Sequence, residues 1–208
     1  ERPLSEFTDA PPWAYTDGQV AREAIAVIED HKRTRLPFWL AVGFNKPHVP
    51  FSAPKGYKES FEDVTFTALT DTWPKDARRD GPAYNKWADI KAYPPMVDLD
   101  PSVDDLPYEA ALQTTLGYKA STSFSDDMIG RVVSTLGCLA ADTHIFVWGD
   151  QGWHLGEQGT WGKNTMFDAV LRSPLIIVPA EYTAGPVVQS IIVESVDILP
   201  TMMDMAGI

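Results

Sequence analysis

The stretch Gly149-Asp-Gln-Gly-Trp-His-Leu-Gly-Glu-Gln-Gly-Thr-Trp-Gly-Lys163 decides the fold class through what it follows. Immediately before it stands His144-Ile-Phe-Val-Trp148, a short apolar run of β-branched and aromatic residues, the composition of a buried strand. A strand that opens into a glycine-rich loop at its carboxyl end is where open α/β sheets build ligand sites. The loop carries a carboxylate (Asp150), an amide (Gln151), an imidazole (His154) and an ammonium (Lys163). A carboxylate beside an amide oxygen suits a hard cation such as calcium, and a lysine held near it suits an anion. Together they describe a metal-assisted site for a charged oxyester.

A second strand end points the same way. Leu36-Pro-Phe-Trp-Leu-Ala-Val-Gly43 predicts a buried strand at about 37–43, which runs into Asn45, Lys46 and His48. Pro47 and Pro50 stiffen that loop, because proline fixes φ. Upstream, Thr16-Asp-Gly-Gln19 reads as a capping box, and Val20, Ala24, Val27 and Ile28 at helical spacing predict a helix over 17–32. The basic turn that follows suits a helix carboxyl end, with His31 at the surface. Downstream, Leu112, Leu116, Ala120, Phe124, Met128, Val132 and Leu136 recur every fourth residue and predict a long helix over 108–137. Asp126 and Asp127 on that helix are read as a solvated or capping face. Strands are expected at 174–178 and 187–193, then a closing helix capped by Gly207. Helices alternating with strands predict an α/β sheet flanked by helices.

Residues 50–107 are different in kind. Pro54, Pro74, Pro82, Pro94, Pro95, Pro101 and Pro107 forbid long regular elements there. The expectation is an irregular excursion, in which Tyr84-Asn-Lys-Trp-Ala-Asp89 either lines a pocket or packs a surface layer. The formal charge of −12 argues against nucleic acid as a partner, and it means that an anionic ligand must be attracted locally. No apolar run reaches the length of a membrane span. The single cysteine, Cys138, cannot form an internal disulfide and reads as a small buried residue.

Phe38-Trp-Leu-Ala-Val-Gly-Phe-Asn-Lys-Pro-His-Val-Pro-Phe51 and Trp148-Gly-Asp-Gln-Gly-Trp-His-Leu-Gly-Glu157 together resemble the sulfatase family, in its iduronate-2-sulfatase-like branch. Asp126-Asp-Met-Ile-Gly-Arg131, Arg172-Ser-Pro-Leu-Ile-Ile-Val-Pro179 and Val196-Asp-Ile-Leu-Pro-Thr201 fit in the same order. The resemblance implies an alkaline-phosphatase-like fold and a sulfuric ester hydrolase dependent on calcium and formylglycine. It implies that Asp150 and Gln151 are metal ligands and that His48 and Lys163 bind the sulfate, while Lys46, beside His48, would bind substrate through the same anion or through a substrate carboxylate. Lys163 would offset charge on the sulfuryl oxygens, and His48 would assist the departing alcohol as general acid. Gln151 departs from the family, whose members commonly carry His or Asn there. The family's Cys/Ser-x-Pro-x-Arg signature, the source of formylglycine, does not occur in this sequence.

Residues 1–208 are therefore expected to form the later portion of one sulfatase catalytic domain, the nucleophile half lying elsewhere. The stretch alone is expected to be inactive and to need the remainder of its own domain. The resemblance further implies a sulfated sugar or polysaccharide as substrate and an extracytoplasmic location. Two alternatives stay open. One is an inactive sulfatase-like binding or structural module, motivated by Gln151. The other is a phosphodiesterase or phosphonate hydrolase on the same scaffold, which Gln151 disfavours. His154 is assigned to loop packing, Trp153 and Trp161 to the loop walls, and Glu157 and Arg172 to bracing.

Overall fold

The structure, a computed structural model, describes residues 3–65, 81 and 83–208. Part of the proline-rich excursion, 66–80 with 82, lies outside the described residues, and Pro74 and Pro82 with it.

Two helices form the frame. α1 spans Thr16–Thr34 and α3 spans Tyr108–Thr135, close to the spans expected for both. The inward face of α1 is Ala21, Ala24 and Ile28, at the three- and four-residue spacing of a helical stripe. Small residues let α3 come close, and Ala21 packs in one cluster with Phe124 and Met128. The capping box is not formed. Tyr15 is the N-cap and makes no side-chain cap bond, so Thr16 is already helical. The first turn instead presses on a single 3-10 turn, Pro12–Ala14. A Cβ on Gly18 would stand 2.0 Å from the Pro12 carbonyl oxygen, so only glycine fits there.

The buried face of α3 is unusually polar, with Thr114, Thr115, Ser121 and Ser125 all inside. Thr114 and Thr115 return their hydroxyls to the carbonyls of Ala110 and Ala111. Ser125 donates to the Lys46 carbonyl at 3.0 Å, which ties the helix to the first candidate loop. Asp127 accepts from Tyr57, whose phenol is pushed up to about 12 by burial and by that carboxylate, and from Arg131. The structural reading of Asp127 fits these contacts.

Strand pairing is local. β1 (Ser5–Thr8) runs parallel to β2 (Phe51–Pro54), which leads into the short helix α2 (Lys55–Glu59). β3 (Ile145–Trp148) pairs antiparallel with β6 (Leu175–Val178), matching the two strands expected there. β4 (His154–Leu155) and β5 (Trp161–Gly162) form an antiparallel ribbon inside the glycine-rich loop, and α4 (Asp168–Leu171) follows. The chain closes with α5 (Ile198–Ala206), capped by Gly207 in the left-handed region at φ 75° as expected. The architecture is mixed α/β, with three two-stranded ladders among the described residues rather than one continuous sheet.

Two expected strands are not formed as ladders. Residues 37–43 are extended and alternate as a strand should: Phe38, Leu40 and Val42 are half-buried, Trp39, Ala41 and Gly43 exposed. Phe38 and Leu40 pack on Ile28, Leu136 and Leu139. The side-chain pattern of a strand is present, but no neighbour completes its hydrogen bonds among the described residues. Residues 187–193 are exposed throughout and equally unpaired. β-branched composition favours extension, but a strand needs an adjacent ladder to exist. Cys138 is exposed rather than buried, because it lies in the 3-10 turn Gly137–Asp142 whose inward residue is Leu139. His31 is half-buried, stacked on Phe38 with ring centroids 4.9 Å apart.

The described part of the excursion is the largest surprise. Tyr84, Trp87, Ile90, Met96 and Leu106 join Phe51, Ala111 and Trp161 in the largest buried cluster. Turns, irregular chain and one short 3-10 helix (Met96–Asp98), not long periodic elements, deliver these side chains, so periodicity gave no sign of them.

Replacing Gly18 by alanine tests the packing of α1. Intrinsic helix propensity alone would favour alanine by about 1 kcal/mol. The collision with Pro12 predicts the opposite sign, a loss of about 1–3 kcal/mol as for other overpacked sites. Denaturant unfolding of the full-length protein reads it, and a stabilised variant would refute the close approach.

Candidate active site

The glycine-rich loop is pinned at both ends and in the middle. Gly149 donates its N–H to the Pro174 carbonyl at 3.0 Å, extending the β3–β6 ladder by one residue. Gly152 donates to the Val170 carbonyl at 2.6 Å, holding the loop against α4. Between these bonds Asp150 and Gln151 are presented to solvent. Both offer oxygen donors, the chemistry a hard cation takes. Among the described residues no group of three His, Cys, Asp or Glu side chains could hold a metal. Asp150 and Gln151 are of the donor type a calcium ion would take, and by themselves they supply only part of the about six to eight oxygens such an ion needs.

Beyond them the ribbon of β4 and β5 brings His154 opposite Gly162, one residue before Lys163. His154 is fully buried, its Nε2 2.8 Å from the Thr165 hydroxyl and its ring edge-on to Phe167. It clamps the two sides of the loop, which agrees with a packing role. Glu157 accepts the Leu155 N–H at 2.7 Å and so braces the same turn. Trp153 meets Phe51 and Tyr118, whereas Trp161 is a core residue.

Lys163 is held by two residues that sequence reasoning did not single out for this purpose. Asp89 accepts the Lys163 backbone N–H at 2.9 Å through Oδ2, and its Oδ1 lies 3.7 Å from the Lys163 ammonium. Asn85 donates its amide to the carbonyls of Trp161 and Lys163. Gly162 stands at φ 92°, and a Cβ there would meet Asp89 Oδ2 at 2.5 Å. Glycine at that position is what lets the carboxylate reach the backbone. Tyr84-Asn-Lys-Trp-Ala-Asp89 thus braces the loop from behind, where the sequence offered only a pocket wall or a surface layer. The cluster of aromatic and amide residues was visible, but its target, ~75 residues away, was not.

The second loop depends on a buried carboxylate. Asp17, 1% exposed at the start of α1, accepts the backbone N–H groups of Asn45 at 2.9 Å and Lys46 at 2.8 Å. A carboxylate in a helix's first turn is favoured by the dipole, and here it also fixes the entry to the loop. Lys46 turns its ammonium back onto the carbonyls of His48 and Pro50, at 3.0 and 2.6 Å. His48 is exposed, with Nδ1 2.7 Å from the Val49 carbonyl, so Nε2 is the ring nitrogen not engaged by that contact. β2 begins at Phe51, and the Phe51 ring packs edge-on against Trp153 with centroids 6.2 Å apart. That contact joins the start of β2, which follows the His48 loop, to Trp153, which follows Asp150 and Gln151.

Burial holds the His154 imidazole below its ordinary value of 6.5, opposed only in part by the Glu157 carboxylate. The folded state prefers the neutral ring. Its contribution to stability is complete above pH 6.5 and is lost as pH falls through the depressed folded value. The variant His154→Gln keeps an amide near the position of Nε2 and gains no proton. Its melting temperature should fall less than that of the wild type between about pH 7.5 and 5. Parallel pH curves for the two proteins would refute this account.

Comparison with known proteins gives the geometry its context. Iduronate 2-sulfatase from Mus musculus is 36% identical over 176 residues, covering 83% of this chain and 32% of that protein. The Homo sapiens iduronate 2-sulfatase is 35% identical over 184 residues, covering 86% of this chain and 33% of its relative. The chain thus spans about a third of the length of these curated relatives. Among solved structures, a phosphonate monoester hydrolase from Silicibacter pomeroyi superposes with a TM-score of 0.76 at 25% identity. That match covers 95% of this chain and 39% of the other. A family model described as Sulfatase matches residues 2–208, and the chain belongs to the sulfatase family.

Proposed function

We propose that this chain is the later portion of the catalytic domain of a sulfuric ester hydrolase of the formylglycine- and calcium-dependent type, acting on a sulfated sugar or polysaccharide. The observation that carries the reading is Lys163, a lysine fixed at its backbone and ion-paired at its ammonium at the end of a glycine-rich loop. Calcium, when bound, supplies Lewis-acid polarisation and a template for the ester oxygens. Asp150 and Gln151 are the residues that would hold it. Lys163 grips the sulfuryl oxygens, where an ammonium offsets developing negative charge. Lys46, drawn over its own loop carbonyls, keeps the local potential positive beside the anion. His48 has Nε2 not engaged by its Val49 contact, and from there a protonated imidazole can donate to the departing alcohol oxygen.

The remainder of its own catalytic domain is the partner this reading requires. The apolar residues Ile176, Val188, Ile191, Ile192 and Val196 are all more than half exposed, and patches of this kind mark contact surfaces. The nucleophile segment, the rest of the metal shell and the cover for that surface belong together on the proposed remainder. No helix among the described residues is long and apolar enough to cross a membrane. An extracytoplasmic location belongs to the proposal on family grounds.

A second reading, a phosphonate monoester hydrolase, is favoured by one observation, the structural likeness to such an enzyme. Both reactions need a clamp for a tetrahedral anion, so Lys163 serves either. The ratio of kcat/KM on a sulfate monoester to that on a phosphonate monoester separates them.

Peptide mapping of the native, full-length protein should find formylglycine in a signature cysteine or serine. The variant Lys163→Ala should then lose about 10²–10³ in kcat/KM toward a sulfate ester. A full-length sequence with no convertible residue and no turnover would leave a sulfatase-shaped binding module instead.

A further inference from the structure

Asp89 meets Lys163 in a way that a simple brace does not need. Its Oδ2 already satisfies the Lys163 backbone N–H at 2.9 Å. Its Oδ1 then sits 3.7 Å from the ammonium, inside ion-pair range but beyond the length of a strong charge-assisted hydrogen bond. The pair is largely shielded, with 17% of the Lys163 side chain and 10% of the Asp89 side chain exposed. Charges so shielded are screened little by water or salt. Asn85 fixes the carbonyl side of Lys163, so the residue cannot rotate away from Asp89 as a unit. The ammonium alone keeps freedom, on a flexible stem.

We propose that Asp89 is a positioning residue and a counter-charge for Lys163. Oδ2 sets where the lysine stands, and Oδ1 limits how tightly its ammonium holds an anion. The inference rests on the reading of Lys163 as the sulfate-gripping residue. When a tetrahedral anion arrives, the ammonium exchanges a loose carboxylate contact for a closer one. The carboxylate stays nearby and repels the bound dianion. Inorganic sulfate, the product with the greatest charge, is repelled most, and its release is favoured. The arrangement answers a problem posed by a permanent cation in a shielded site, which would otherwise retain its product.

Two variants separate the two roles. Asp89→Asn keeps an oxygen for the Lys163 N–H and removes the charge, whereas Asp89→Ala removes both. In the full-length protein, Asp89→Asn should lower the inhibition constant of inorganic sulfate at least threefold. It should lower KM for a small sulfate ester less than that, so the variant becomes more product-inhibited. Hydrogen exchange of the peptide around Lys163 should match the wild type in Asp89→Asn and accelerate about tenfold or more in Asp89→Ala. An unchanged or raised sulfate inhibition constant in Asp89→Asn overturns the counter-charge, and equal exchange in Asp89→Ala and wild type overturns the positioning role. A wild-type protein that neither turns over sulfate esters nor binds sulfate overturns the sulfatase reading and the counter-charge with it. Hydrogen exchange then still decides whether Asp89 positions Lys163.

Discussion

One carbonyl oxygen joins the two parts of the chain on which the site depends. The Gly159 carbonyl accepts from the Tyr84 hydroxyl at 3.0 Å and from the Trp87 indole N–H at 3.1 Å. Both donors sit in the largest buried cluster, where an unpaired polar atom would carry a desolvation cost of about 1–3 kcal/mol. The glycine-rich loop supplies the acceptor that the aromatic core requires, and the core fixes the loop in return. Everything downstream inherits this register: Trp161 in the core, Gly162 against Asp89, and Lys163 facing its carboxylate. Moving the loop by one residue would take the Gly159 carbonyl away from both the Tyr84 and the Trp87 donors.

Legibility in the sequence followed the range of the forces involved. α1, α3, β3, β6 and the Gly207 cap were readable because each is announced by residues within one or two turns of itself. The site motifs were readable for the same reason, with chemistry concentrated in two short runs. What escaped was non-local. Asp17 reads as part of a capping box, yet its carboxylate reaches 28 positions along the chain to the Asn45 amide. Asn85 and Asp89 act across more than 70 positions. Among the described residues between 50 and 107 proline density goes with short elements only, but exclusion of long helices is no exclusion of core. Turns placed Trp87 and Ile90 at zero exposure with no period to betray them.

The two unpaired segments miss for a different reason. Residues 37–43 keep the two-residue alternation of burial that their sequence encodes. Side-chain preference and ladder formation are separate requirements, and only the first is carried by the segment itself. Burial is also uneven across the chain: the face built on α3 is closed, while β6 and the residues that follow it remain largely open. The apolar residues there, being β-branched in the main, are suited to a buried setting that the described residues do not supply.

Electrostatics then explains how an acidic protein can present an anion site at all. With a formal charge of −12, the field of the whole chain repels a sulfate ester. Two of its carboxylates are committed to backbone amides, which stabilise their charge locally, Asp17 to Asn45 and Lys46, and Asp89 to Lys163. In each case the acid fixes the main chain of a lysine that the proposed site would use. The difference lies in the ammonium. Lys46 Nζ bends to the carbonyl oxygens of His48 and Pro50, which are dipoles. Lys163 Nζ faces a full negative charge. A site with two cations treated alike would hold its anion symmetrically. In the proposed reading the two are not alike, because Lys163 would meet an anion with the Asp89 carboxylate behind it and Lys46 with its ammonium on two loop carbonyls.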